Sequence, residues 1–254
     1  MISKTELKKL KLKALKLRQD TLMMFQKKKE AHLGGSFSMI EIVIALYSKI
    51  LKKKDKFILS KAHASFPLCI ILRERGLKPK MTTHLEIDEK NGIHCTTGSL
   101  GHGLPIAAGM AFANKILKKK NKIYVLISDG ECQEGTTWET LLVAAKHKLD
   151  NLIILIDYNK IQALSKLDDA IPLHNLVNKI RSFNINCINV KNGHDFIPIL
   201  KSLNQKSRKK LPTAIIFNTI KGKGVKEFEN DPVWHARKLN KDELNIAKKR
   251  LGFR

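Results

Sequence analysis

The 254-residue sequence predicts an α/β fold with a mostly parallel sheet and helices on both faces. Three observations carry that prediction. Short apolar runs alternate with longer segments of helical character, the order expected of βαβ units. Two of these runs end in polar residues thirty positions apart, Asp129-Gly130 and Asn159. Ligands of open α/β sheets gather at such strand ends. The chain is also 43% hydrophobic, enough to bury a full core as one domain over residues 1–254.

The elements follow in order. Leu7, Leu10, Ala14, Leu17 and Met24 recur at helical spacing, which predicts a helix over residues 3–29 packed on a core. The pattern is too short to favour a coiled coil. Residues 37–51 read as a second helix and 56–60 as a short strand. Residues 101–117 open with glycines and continue with Ala and Gly, a helix able to pack closely. A strand at 122–128, a helix at 136–148 and a strand at 152–157 make one βαβ unit. Further strands are expected at 185–190 and 213–219. No repeat, linker or low-complexity segment interrupts the series.

Composition narrows the function classes. The net charge is +25, from 48 Lys and Arg against 23 Asp and Glu, and only eight of the basic residues are Arg. The lysines are scattered along the chain with little aromatic interleaving. That favours a solvated basic surface over a nucleic-acid site. No apolar run approaches the length of a membrane span. The N-terminus lacks a signal-peptide core, so a cytoplasmic protein is expected. Cys69, Cys95, Cys132 and Cys187 form no CxxC pair, which argues against a zinc or disulfide framework.

The segment Ser128-Asp129-Gly130-Glu131, with Asn159 thirty residues later, suits a magnesium ion holding a diphosphate. Magnesium takes hard oxygen ligands in an octahedron and shares them with phosphates. Asp129 offers a carboxylate, Asn159 an amide oxygen and Ile161 a main-chain carbonyl. Gly130, lacking a side chain, lets its N–H approach a phosphate. The plainer alternative is a strand-turn-helix with an Asp cap and a turn Asn. The Asp-Gly pair alone favours the alternative; the pair and the spaced Asn together favour the metal.

This segment resembles the thiamine diphosphate motif of the transketolase family, and four more segments resemble that family in the same order. They are Ala31-His32-Leu33-Gly34-Gly35-Ser36, Ser60-Lys61-Ala62-His63, Thr97-Gly98-Ser99-Leu100-Gly101-His102-Gly103, and Lys221-Gly222-Lys223-Gly224 with Trp234-His235. The resemblance covers nearly the whole chain and is to the family's N-terminal part. It implies the thiamine diphosphate-binding fold, with Asp129, Asn159 and Ile161 holding Mg2+. It places His63, Ser99, Leu100, Gly101, Gly130, Glu131, Asn159 and Ile161 at the cofactor. It assigns His32, His84 and His235 to the substrate channel, and His32, His63, His235 and Glu134 to catalysis. Imidazoles suit that work because they donate, accept and shuttle protons near neutral pH. Glu134 matches a glutamate that ties the cofactor site to the opposite subunit. His94 and His102 have weaker support, His147 and His174 read as structural, and His194 reads as part of a turn.

The resemblance also implies a reaction, the transfer of a two-carbon ketol unit from a ketose to an aldose. Sugar phosphates or related sugars are the implied substrates. It implies a partner, because the family's pyrimidine-binding and C-terminal domains have no counterpart here. The expected partner is a C-terminal transketolase subunit, in an α2β2 heterotetramer. The alternatives are a related thiamine diphosphate enzyme and a non-catalytic scaffold of the same fold. The sequence departs from the family's usual residues at Ala31, Ala62, His102 and Ala236. A methyl at Ala31, Ala62 or Ala236 narrows the channel or disfavours a positive φ.

Overall fold

The computed structural model describes residues 2–28, 32–163, 165–205, 207 and 210–253. Among them lie strands β1 (Lys56–Leu59), β2 (Ile123–Ser128), β3 (Leu152–Tyr158), β4 (Asn186–Val190) and β5 (Thr213–Asn218). They form a parallel sheet in the order β1-β2-β3-β5-β4. The register runs Leu59, Leu126, Leu155, Ile215 and Ile188 across it. Every position of β2 is buried, as is every position of β3 up to Asp157. Strands covered on both faces need such apolar runs.

The helices are α1 (Lys4–Lys28), α2 (Leu33–Ser38), α3 (Ile40–Ala45), α4 (Phe66–Glu74), α5 (Gly103–Ile116), α6 (Gly135–Lys146), α7 (Leu167–Ala170), α8 (Leu176–Ser182), α9 (Phe196–Leu203) and α10 (Lys241–Arg250). Alternate side chains of the strands feed two cores. Tyr124, Leu126, Leu155, Ile215 and Phe217 pack with Leu17 of α1, Ile44 of α3, Ile71 of α4 and Ile199 of α9. Val125, Ile127, Ile154, Ile156 and Ile216 pack with Ala107 of α5, Leu141 of α6 and Ile180 of α8. Each large aliphatic side chain so buried contributes about 1.5–3 kcal/mol before entropy is counted.

Most predicted elements stand where their patterns put them. The helix expected over residues 3–29 is α1, with Lys29 outside the described residues. It buries Leu10, Ala14, Leu17 and Leu22 on one stripe. The helix expected over 37–51 is instead three pieces. α2 ends at Met39 (φ −98°, ψ 0°), α3 follows, and a π-turn closes Leu46–Ile50. Residues 33–47 are buried at every position, so no amphipathic stripe marks the breaks. The same cause hides α4, whose Phe66-Pro67-Leu68-Cys69-Ile70-Ile71-Leu72 run is buried on all sides. No helix among the described residues is long and apolar enough to cross a membrane.

Candidate active site

Asp129 and Asn159 directly follow β2 and β3, and Ser128 pairs in register with Asp157. Their side chains converge on one narrow cavity of about 110 Å3. Asp129 is buried, with Oδ1 accepting from Gly130 N at 2.9 Å and Oδ2 from Lys160 N at 2.5 Å. Asn159 Oδ1 accepts from Ile161 N at 3.1 Å, a bond that turns the chain so that Ile161 joins the lining. Burial, and then the nearby Asp157 carboxylate, push the Asp129 carboxyl up to about 7. Its bonded donors are main-chain N–H groups, so its charge has no contacting cation.

The donor set fits a hard divalent cation. A carboxylate, an amide oxygen and a main-chain carbonyl are the ligands that magnesium accepts. Among the described residues no group of three or more His, Cys, Asp or Glu gathers as a metal site. That composition does not suit a structural zinc.

Two lysines complete the electrostatics, and sequence reasoning did not single them out as site residues. Lys61 and Lys221 are each 1% exposed and line the same cavity. Lys61 Nζ is paired with Asp157 Oδ2 and donates to Gly35 O at 3.0 Å. Burial opposes ionisation of Asp157, yet Lys61, Ser38 and Thr219 hold its carboxyl below the usual range. Lys221 Nζ donates to the carbonyls of Ile161 (3.2 Å) and Gln162 (2.8 Å) and stands 3.1 Å from His235 Nδ1. Burial, and then the charge of Lys61, bring the Lys221 ammonium down to about 7. The pocket therefore concentrates positive charge where a diphosphate would stand. Forty lysines in the chain hide these two from any reading by residue type; only burial distinguishes them.

Three predicted histidines meet over the cavity. The ring centroids of His32, His63 and His235 form a triangle with sides of 5.4, 5.3 and 5.3 Å. Burial and then the Lys61 charge keep His63 well below the ordinary imidazole range. Burial and then Lys221 bring His235 down to about 3. Both rings are therefore neutral at physiological pH and can donate to or accept from a sugar hydroxyl. His32 caps α2 with a left-handed backbone (φ 73°), an uncommon state for a residue with a side chain.

The remaining predicted residues divide. Gly130 and the half-exposed Leu100 line the cavity. Gly101 (φ 76°) lies behind it, and a Cβ there would press within 2.8 Å of Glu134. Ser99 is exposed and bonds the His102 ring at 3.3 Å. Glu131 is fully buried and spends its oxygens internally, on Ser60 Oγ, Gly101 N (3.1 Å) and Ser128 N (2.8 Å). It ties the 99–101 turn to the strand ends. Glu134 is exposed at the start of α6. His84 is exposed and packs over Gly98, apart from the histidine triangle. His94 pairs with Glu89 at 2.8 Å, and His147 stacks on Phe112.

Two departures prove compatible with the backbone. Ala62 lies in a 3-10 turn and Ala236 has φ −139°, so neither needs glycine's positive φ. Ala31 lies outside the described residues. His194 is more than a turn residue: its ring is 9% exposed and bonded on both nitrogens.

Comparison with known proteins agrees with this geometry. The family model for the transketolase thiamine diphosphate binding domain matches residues 11–254. One of the two subunits named for an apulose-4-phosphate transketolase, from Actinobacillus succinogenes, is 34% identical over 241 residues, covering 87% of this chain and 87% of the relative. A 6-deoxy-6-sulfo-D-fructose transketolase subunit of a Clostridium species is 33% identical, covering 91% of this chain and 92% of the relative. A transketolase crystal structure from Campylobacter jejuni superposes with a TM-score of 0.85 at 28% identity. It covers 96% of this chain, which spans 43% of that transketolase. The matched residues and the shared fold lead to one conclusion: the chain belongs to the transketolase family, as its thiamine diphosphate-binding domain.

Proposed function

We propose that this chain is the diphosphate-binding subunit of a split transketolase. Residues 1–254 act as one domain, and a second chain carrying the pyrimidine-binding domain completes the site. The observation that carries the proposal is the buried Asp129 carboxylate, beside Asn159 and the Ile161 carbonyl, facing two buried lysines. Asp129, Asn159 and the Ile161 carbonyl hold Mg2+, and Gly130, Lys61 and Lys221 face the diphosphate. When bound, thiamine diphosphate supplies the carbanion chemistry that lets a two-carbon ketol unit pass from a ketose to an aldose. The protein's part is to bind, orient and manage hydroxyl protons. His32, His63 and His235 do the last, because neutral imidazoles can both accept and donate.

The names of the relatives support the substrate class. One acts on apulose 4-phosphate and another on 6-deoxy-6-sulfo-D-fructose. We assign the donor here to ketoses that carry a terminal phosphate or sulfonate. Two relatives of similar length named as subunits support the split arrangement. Exposed Ile106 and Phe112 on α5, and Leu142 and Val143 on α6, support an α2β2 assembly, with Glu134 beside the apolar face.

The test is ketol transfer by this chain co-expressed with its partner. Asp129→Ala should abolish Mg2+-dependent cofactor binding and activity together. Retained Mg2+-dependent binding in that variant would refute the metal assignment. His235→Ala should lower kcat by about 10²-fold while cofactor affinity changes little; unchanged kcat would remove His235 from the reaction.

A further inference from the structure

A buried polar chain runs from Arg18 of α1 through Glu41 of α3 to His194 in the turn after β4. The Arg18 guanidinium grips the Glu41 carboxylate twice, Nη1 to Oε1 at 2.6 Å and Nη2 to Oε2 at 2.8 Å. Both side chains are 7% exposed. Burial alone would raise the Glu41 carboxyl, but Arg18 and His194 bring it down to about 2. Glu41 is therefore a carboxylate and can only accept. That assigns the roles of the His194 nitrogens. Nδ1, 3.0 Å from Glu41 Oε2, donates; Nε2 accepts from Ile220 N at 2.8 Å.

Ile220 begins the strap 220–224 that carries Lys221 into the cavity. Arg18 holds the strap's far end, with Nε donating to the Lys223 carbonyl at 2.8 Å. Gly222 N is bonded between these anchors, to Gly34 O at 3.0 Å. The turn bearing His194 approaches β5 so closely that a Cβ on Gly193 would lie 3.0 Å from Asn218 O. His194 does not itself line the cavity. Its one route to the site is the strap.

We propose that His194 is a positioning residue for Lys221: braced by the Glu41–Arg18 pair, it fixes the 220–224 strap and so sets where the Lys221 ammonium stands against a diphosphate. The proposal rests on the reading of the cavity as a diphosphate site. It makes the N-terminal helix part of the apparatus that shapes that site, through side chains that touch no ligand.

Two measurements on the 254-residue chain test it. In the wild type, a 15N–15N coupling across the Ile220 N–H to Nε2 bond should be detectable; its absence in a folded, assigned sample overturns the proposal. The second compares two variants. The short amide of His194→Asn can still serve Glu41 but falls short of Ile220. His194→Gln reaches Ile220. In His194→Asn, amide exchange over 220–224 should rise about tenfold, and affinity for thiamine diphosphate with Mg2+ should fall about tenfold. His194→Gln should recover most of both. Unchanged exchange in the strap, or an equal rise across α1 and the sheet, overturns the proposal. If the wild type binds no cofactor, the diphosphate reading fails separately, while the coupling and the strap exchange still decide what His194 holds.

Discussion

Asp129 is the residue whose environment costs folding most directly for the sake of function. Its carboxyl ionises near 7 when folded against an ordinary value of 3.8. The folded state therefore holds a proton that the unfolded state releases between these values. Stability is greatest below pH 3.8 and is lost as pH rises through about 7. Asp129→Asn should stabilise the metal-free chain by about 2 kcal/mol at pH 7.5 while abolishing Mg2+-dependent binding. Urea denaturation of both proteins from pH 4 to 8 checks this. The histidines act with the opposite sign. His235 has a folded value of about 3, below its ordinary 6.5, so stability falls as pH drops from 6.5 toward 3. His235→Gln should flatten that acid limb, measured by the same denaturation. In sequence, Asp129, Asn159 and the three histidines were legible because they stand in ordered motifs. Lys61 and Lys221 were not, because their distinction is burial, and a lysine-rich chain gives no sign of it.

At the scale of elements, the site is a junction of strand ends. Lys61 follows β1, Asp157 closes β3, and Ser38 of α2 and Thr219 after β5 bond the same carboxylate. Lys61→Met would leave Asp157 buried without its cation, at a cost of about 3–5 kcal/mol. A fall in melting temperature, without a change in the native circular dichroism, is the expected reading. Gly103 opens α5 against β1, and a Cβ there would lie 2.8 Å from Ser60 Cα. Gly103→Ala should cost about 1–3 kcal/mol by overpacking. It should also loosen the Ser60–Glu131 tether, detectable as faster amide exchange at Gly101. The strands and the amphipathic α1 were legible because period and punctuation mark them. The three-part helix 33–50 and α4 were not: a segment buried on all sides shows no stripe, so its breaks answer to tertiary packing.

For the whole molecule, the sheet gathers its functional residues at one end and leaves most of its lysines outside. Of the described lysines, Lys61 and Lys221 are the buried ones, so the remaining positive charge belongs to the surface. That distribution fits a solvated face better than a nucleic-acid groove. The chain spans 43% of a whole transketolase, and the exposed apolar side chains of α5 and α6 await cover in an assembly. The most direct test is native mass spectrometry of the chain purified gently from its own cells. The proposed function predicts a complex with a second, pyrimidine-domain chain, carrying the masses of thiamine diphosphate and magnesium. A lone chain or homodimer that takes up neither, even with both added in excess, would contradict it.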